Sequence, residues 1–107
     1  MPIRQVNDAR ILTKAGLNEL AALKELRSLS LNRTGVTDAD LKELAPLQHL
    51  HSLKLFRTNV TDTGLKELAR LKQLQSLNLT ETKVTDAGMA ELQKALPKLK
   101  ITCHRRP

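Results

Sequence analysis

The sequence predicts an α/β solenoid, a curved stack in which short helices and short strands alternate along the chain. Two observations predict it. The segment 36–59 aligns on the segment 60–83 without a gap, and Val36, Val60 and Val84 each open the tripeptide Val-Thr-Asp at equal intervals along the chain. Within each unit the spacing of apolar residues changes from three to two, which indicates a helix followed by a strand. Such a unit cannot cover its own apolar face, so neighbouring units must stack.

Leucine recurs at six matched positions in three successive units, and this register is too regular to arise by chance. The three sets are Leu17, Leu20, Leu23, Leu26, Leu29 and Leu31, then Leu41, Leu44, Leu47, Leu50, Leu53 and Leu55, then Leu65, Leu68, Leu71, Leu74, Leu77 and Leu79. The chain of 107 residues contains one Phe, no Trp and no Tyr, so aliphatic side chains must form the core. Its length suits a single domain.

The two spacings assign the elements within a unit. Leu41, Leu44 and Leu47 step by three, which is the apolar side of a short amphipathic helix. Leu53 and Leu55 step by two, which is the alternation of a strand with one buried face. Parallel strands lie about 4.8 Å apart, whereas neighbouring helices need about 10 Å. Stacking therefore bends the array, with strands on the concave side and helices on the convex side.

Each helix has a start signal. The signals are the pairs Thr37-Asp38, Thr61-Asp62 and Thr85-Asp86. A Thr hydroxyl at this point accepts from backbone N–H groups that lack a partner, and the Asp lies favourably at the positive end of the helix dipole. The first unit departs from the pattern, with Lys14 in the place of the Asp. Pro46 should end the second helix early or tighten its last turn.

The residues 74–92 carry the pattern LxxLxLxxTxVTDxGLxxL, with Met89 at one leucine position. This pattern resembles the leucine-rich repeat, and most of all its short bacterial type, which is related to the cysteine-containing repeats found beside F-box domains. The resemblance covers residues 12–101 and implies a right-handed solenoid shaped as a horseshoe arc, with three to four repeats of about 24 residues. Where many family members carry Asn or Cys at the turn, this chain has Thr34, Thr58 and Thr82. A hydroxyl can satisfy one backbone group there, but it has fewer donors than an amide.

The repeat register also suggests how the chain is divided. We expect one domain over 1–107, with a degenerate N-terminal end (1–11), repeats at 12–35, 36–59 and 60–83, a C-terminal repeat (84–103) and a basic tail (104–107). The segment 3–12 is interpreted as a degenerate first strand with Val6 in the place of Leu31. The segment 98–103 is interpreted as a last strand with Leu99 and Ile101 facing inward. The chain is expected to be a monomer or part of a longer chain.

No combination of residues predicts catalysis or a bound cofactor. His49 and His51 flank Leu50, but two histidines without a third ligand are weak evidence for a metal. Cys103 is the only cysteine, so no internal disulfide is possible. No phosphate-binding loop, zinc-protease motif, signal peptide or membrane-spanning apolar run is found. We expect a cytoplasmic protein that is not an enzyme and holds no cofactor or metal.

Side chains between the strand leucines should point away from the core and form a shallow, mostly polar surface. The predicted partner-binding residues are Phe56, Lys54, Arg57, Arg33, Asn32, Asn78, Thr80 and Ser30. Exposed aromatic and arginine side chains are typical of interface hot spots. Four such strands present only about 300 Å², less than the roughly 800 Å² per partner of a standard interface. The rim loops must therefore contribute, or the chain supplies part of a larger surface.

These patterns favour a protein-interaction module that binds through its concave face and rim. The net charge of +7 favours an acidic protein partner. A nucleic acid partner is not expected, because aromatic stacking platforms and recognisable binding modules are missing from the sequence. One alternative is a structural fragment or spacer of a larger repeat receptor. Another, implied only by the F-box-associated resemblance, is the substrate-recognition part of a ubiquitin-ligase-like assembly.

Overall fold

A parallel five-stranded sheet runs through the protein. The computed structural model describes residues 5–6 and 22–103. The strands are β1 (Gln5–Val6), β2 (Ser28–Ser30), β3 (Ser52–Lys54), β4 (Ser76–Asn78) and β5 (Lys100–Thr102), and they lie side by side in the order of the sequence. Every neighbouring pair is parallel. Each unit thus adds the next strand to one growing sheet, which confirms the predicted solenoid.

The register between strands reproduces the sequence repeat. Ser28, Ser52, Ser76 and Lys100 lie in one row across the sheet, each one repeat length from the last. Equivalent positions of neighbouring units are therefore direct partners. At the first strand the offset is shorter by one position, because Val6 lies beside Leu29. The prediction of a first strand is confirmed, but its predicted register, with Val6 in the place of Leu31, is wrong.

Short helices connect the strands on the convex side. Within the described residues they are α1 (Asp38–Leu41), which continues as a 3₁₀ turn (Lys42–Leu44), α2 (Asp62–Leu68) and α3 (Asp86–Ala95). Pro46 explains the 3₁₀ turn after α1, because proline has no N–H to donate to the carbonyl of Lys42. That carbonyl instead accepts from the N–H of Ala45 at 3.3 Å. Pro46 therefore tightens the last turn, as predicted.

The core is a layer of leucines between the sheet and the helices. Strand leucines such as Leu53 and helix leucines such as Leu65 belong to one buried cluster. The predicted leucines from Leu26 to Leu79 are all buried, and Leu53 has no exposed surface. Leu23 and Ile101 are partly buried against this cluster, and Leu99 lies within it. Leu17 and Leu20 lie outside the described residues. Burial of a leucine side chain contributes about 1.5–3 kcal/mol, so this layer is the main source of stability.

Threonine hydroxyls close the turns that follow the strands. Thr34, Thr58 and Thr82 donate to the carbonyls of Leu31, Leu55 and Leu79 at 2.7, 2.8 and 2.7 Å. The predicted hydroxyl–backbone bond is therefore present in three units. Each bond remains within its own unit, because the acceptor belongs to the strand that the turn follows. Other groups must link one unit to the next at the level of side chains.

Aspartates at the helix starts provide that link. The carboxylate of Asp38 accepts from the N–H of Thr61 at 2.8 Å and from its hydroxyl at 2.5 Å. In the next unit, Asp62 accepts from the N–H and hydroxyl of Thr85 at 2.7 and 2.5 Å. Thr61 and Thr85 also cap their own helices by accepting from N–H groups of the first turn, as predicted. The sequence suggests only a helix-dipole role for the aspartates, whereas in the structure Asp38 and Asp62 each fasten the following helix.

A glycine makes room for each linking carboxylate. A Cβ at Gly64 would lie 2.5 Å from Asp38 Oδ1, and a Cβ at Gly88 would overlap the Asp62 carboxylate. The second unit has Asp40 where the later units have glycine, and it follows the unit whose equivalent residue is Lys14. Asp40 Oδ2 accepts from the N–H of Thr37 in its own unit at 3.0 Å. Where the preceding unit has no Asp, the carboxylate thus comes from within the unit.

Candidate protein-binding surface

Three turn residues with unusual backbone geometry follow the strands. Arg33, Arg57 and Glu81 occupy the same position in successive units and have φ angles of 57°, 56° and 57°. This left-handed conformation costs roughly 1–2 kcal/mol for a residue with a side chain, and it persists only where neighbouring structure enforces it. Here the N–H of Arg33 donates to the carbonyl of Phe56 at 2.7 Å, and that of Arg57 donates to the carbonyl of Thr80 at 3.0 Å. We refer to Arg33, Phe56, Arg57 and Glu81 as the rim cluster.

Phe56 is the centre of the rim cluster. The ring is half-buried and is not part of the leucine core, as its position after Leu55 predicted. The guanidinium carbons of Arg33 and Arg57 lie over the ring, 5.5 and 5.4 Å from its centroid. Cations this close to an aromatic face are attracted to its negative charge density. The only aromatic residue of the chain therefore positions two arginines on the surface instead of filling the core.

The two arginines differ in their ionic partners. Arg57 Nε lies 2.6 Å from Glu81 Oε2, and the two side chains are 44% and 21% exposed. No carboxylate of the described residues forms an ion pair with Arg33. Lys54, two residues before Phe56, is exposed on β3. The cluster therefore combines one balanced arginine, one arginine without a carboxylate and a nearby lysine.

The other predicted contact residues are less available than expected. Ser30 is buried, with 5% exposure, so little of its side chain is available to a partner. The amide oxygen of Asn32 accepts from the N–H of Phe56 at 2.9 Å, and that of Asn78 accepts from the N–H of Thr80 at 2.9 Å. Both asparagines and Thr80 are half-buried. The asparagines extend the backbone hydrogen bonding beyond the strand ends, which leaves their NH₂ groups for other contacts.

The candidate metal and thiol groups do not assemble into a site within the described part of the chain. His51 Nδ1 lies 2.5 Å from the carbonyl oxygen of His49 and donates to it, because a carbonyl oxygen can only accept. Residues 5–6 and 22–103 contain no group of three His, Cys, Asp or Glu able to hold a metal ion. The half-buried Cys103 thiol lies 3.5 Å from the carbonyl oxygen of Leu79. No helix within those residues is long and apolar enough to cross a membrane.

A groove of about 430 Å³ lies between α2 and α3 on the convex side. Much of its lining is aliphatic, from Leu65, Ala69 and Leu92 among others. The carboxylate of Asp62, also in the lining, accepts two hydrogen bonds from Thr85. This carboxylate holds a helix start, and the groove brings no nucleophile and base together.

The repeat pattern is also found in known proteins. A family model described as the leucine-rich repeat matches residues 47–69 and 72–92. Its repeats are leucine-rich repeats. No curated protein sequence matches it. The matched segments include three threonines that form the turn and cap hydrogen bonds described above: Thr58, Thr61 and Thr82. These hydrogen bonds are therefore features of the repeat itself.

Solved structures share the fold over most of this leucine-rich-repeat protein. A leucine-rich-repeat protein of Leptospira interrogans is 27% identical with a TM-score of 0.67, and the match covers 92% of this chain and 24% of that one. Internalin C2 of Listeria monocytogenes is 23% identical with a TM-score of 0.71, and the match covers 100% of this chain and 45% of that one. The structure of the Chaetomium Mex67:Mtr2 subunits is 22% identical with a TM-score of 0.70, and the match covers 85% of this chain and 69% of that one. None of these names refers to an F-box, so that relation stays a prediction.

Proposed function

We propose that this leucine-rich-repeat protein is a non-enzymatic interaction module that binds a protein partner through its concave face and rim. The observation that carries the proposal is the rim cluster, in which the only aromatic ring of the chain is held outside the core beneath two arginines. Aromatic and arginine side chains are enriched among residues that dominate binding energy. One structural relative is named as an assembly of two subunits, Mex67 and Mtr2.

The strand face supports the same proposal by its composition. None of the five strands contains Asp or Glu, whereas β3 and β5 contribute Lys54 and Lys100, both exposed. The remaining outward residues are small or polar, so they leave the face open to a partner. A strand face of about 300 Å² is too small for a standard interface of roughly 800 Å² per partner. The rim cluster is the part of the described structure that extends it.

A second candidate function is that of a spacer within a larger repeat receptor. The chain covers only 24% of the Leptospira protein and 45% of internalin C2, so repeats like these also occur within longer arrays. In a spacer the rim cluster would serve the stability of the turns alone. A cytoplasmic location is part of the main proposal, and the free thiol of Cys103 is consistent with a reducing compartment.

Affinity capture followed by quantitative mass spectrometry tests the proposal. The baits are the wild type, Phe56→Ala, Phe56→Leu and the convex-side control Lys94→Ala. Lys94 lies on α3 with a side chain 77% exposed. A true partner should be retained by the control, reduced by Phe56→Leu and lost with Phe56→Ala. Retention of every captured protein by both Phe56 variants would contradict the proposal and favour the spacer.

The melting temperature of each bait must be measured in parallel. Cation–π contacts at exposed sites contribute about 0.5–1 kcal/mol each, so Phe56→Ala should lower the stability only slightly. A large loss would instead show that the ring supports the fold, and the capture result would then reflect unfolding. Phe56→Leu separates these cases, because it keeps an apolar side chain but removes the aromatic face.

A further inference from the structure

We propose that Arg33 binds a carboxylate of an acidic, extended segment of the partner, and this inference rests on the proposed function. The rim positions 33, 57 and 81 are occupied by Arg, Arg and Glu with nearly identical backbone geometry. Arg57 therefore faces a carboxylate in the next unit, while Arg33 faces another arginine. Among the described residues, the series therefore leaves Arg33 without a carboxylate, and we assign that role to the partner.

The contact between Arg57 and Glu81 shows how such a carboxylate is held. Arg57 Nε donates to Glu81 Oε2 at 2.6 Å, and the two residues occupy equivalent rim positions in successive units. Charge-assisted bonds of this kind are short and roughly twice as strong as neutral ones. Arg33 occupies the equivalent place one unit earlier, and no ion pair to it is found among the described residues. A partner carboxylate would give Arg33 the same kind of contact that Glu81 gives Arg57.

Arg33 is already ordered for this task. Its N–H is bonded to the carbonyl of Phe56, and its guanidinium lies over the Phe56 ring. A guanidinium that lies over an aromatic face keeps its in-plane N–H donors free for a planar, bidentate acceptor. Fixing the side chain before binding reduces the conformational entropy that association would otherwise cost.

The surrounding charges favour an anionic ligand. Two guanidinium groups lie within 5.5 Å of the centroid of one ring, and the one that belongs to Arg57 forms an ion pair with Glu81. Lys54 is exposed at the end of β3, two residues before Phe56 and roughly 7 Å away along an extended backbone. A carboxylate bound to Arg33 would therefore relieve repulsion between Arg33, Arg57 and Lys54.

A protein segment fits this site better than a nucleic acid does. Single-stranded nucleic acids are bound mainly by stacking bases on aromatic side chains, and this chain has one aromatic ring. That ring is already covered by two guanidinium groups. A glutamate or aspartate flanked by an apolar residue can instead reach Arg33 while its neighbour contacts the remaining surface of Phe56.

The test uses two fluorescein-labelled peptides of equal length, one alternating Glu and Leu and one alternating Gln and Leu. Fluorescence polarisation is measured with the wild type, Arg33→Gln and Arg70→Gln. Arg70 follows α2, its side chain is 69% exposed, and the two variants have the same net charge. The wild type should bind the Glu peptide about tenfold more tightly than the Gln peptide. Arg33→Gln should lose most of this preference, and Arg70→Gln should keep it.

Four results would overturn the inference. They are binding of neither peptide by the wild type, equal binding of both, an equal loss of preference in the two arginine variants, and tighter binding of a single-stranded oligonucleotide with steep salt dependence. Circular dichroism melting of Arg33→Gln checks its fold. If Phe56→Ala loses the captured partner while Arg33→Gln keeps the peptide preference, only the carboxylate inference fails. If the Phe56 variants capture normally, the proposed function fails as well.

Discussion

Replacing Gly88 by alanine should destabilise the protein, although alanine normally favours a helix over glycine. Gly88 lies in the first turn of α3, and a Cβ there would overlap the carboxylate of Asp62 and lie 2.9 Å from the Asp62 Cβ. Asp62 cannot move aside freely, because it accepts hydrogen bonds from the N–H and hydroxyl of Thr85. The substitution therefore strains the site and also disrupts the hydrogen-bonded link between two units.

The expected magnitude follows from three opposing terms. Alanine is favoured over glycine in a helix by about 1 kcal/mol. Overpacking at a fixed site costs about 1–3 kcal/mol, and loss of a helix cap costs about 1 kcal/mol. With about 2 kcal/mol for the strain, the variant should lose about 2 kcal/mol of unfolding free energy, or roughly 10 °C in melting temperature for a domain of this size.

Urea unfolding followed by circular dichroism measures this loss, and a double-mutant cycle with Asp62→Ala assigns its cause. Gly88→Ala should cost at least about 1 kcal/mol less in the Asp62→Ala background, as expected for coupled neighbours. Gly35→Ala is the matched control, because a Cβ at Gly35 meets no atom within 4 Å. An unchanged or increased stability of Gly88→Ala, or an equal cost in both backgrounds, would refute the reasoning.

Two further substitutions test the core and the turns by the same urea unfolding measurement. Leu53→Ala removes a side chain with no exposed surface at the centre of the sheet and should cost about 2–5 kcal/mol; a smaller loss would mean that neighbouring leucines collapse into the space. Thr58→Val removes the hydroxyl that donates to the carbonyl of Leu55 at 2.8 Å and should cost about 1 kcal/mol. If Thr58→Val were as stable as the wild type, that carbonyl would have found another donor.

The fold could be predicted because its information is local and repeated. Alternation along the strand placed Leu53 and Leu55 inward and Phe56 outward, and the constant repeat interval set the register of neighbouring strands. The 3₁₀ turn before Pro46 followed from the missing N–H of proline. The predicted register of β1 was wrong, because the segment around Val6 lacks the leucine pattern that sets the register of the other strands.

The link between units was missed, although the sequence contains a signal for it. Asp38 and Thr61 belong to different units and meet because stacking brings the starts of successive helices together. The signal is that Gly64 and Gly88 occur one unit after an Asp, whereas Asp40 occurs one unit after Lys14. Reading it requires knowing that these positions touch, which the repeat interval alone does not reveal.

The candidate site could be predicted only in part. Residue type and strand parity selected Phe56, Arg33 and Arg57, but they gave no reason to expect left-handed backbone at both arginines, since glycine is the usual residue there. The burial of Ser30 could not be predicted from alternation, because it depends on the surrounding side chains rather than on strand parity. Side-chain packing across units decides which outward residues remain available.

The Asp–Thr link constrains how this repeat array can grow or shrink. Because the starts of α2 and α3 are each fastened by the unit before them, the repeats have a direction and are not freely exchangeable. Excising residues 60–83 would leave an Asp ahead of Thr85, so the joint would be preserved. Excising residues 36–59 would leave Lys14 ahead of Thr61, and the new joint would lack its carboxylate. Duplication or recombination of these units would therefore preserve the link only where the residues on the two sides of the new junction match.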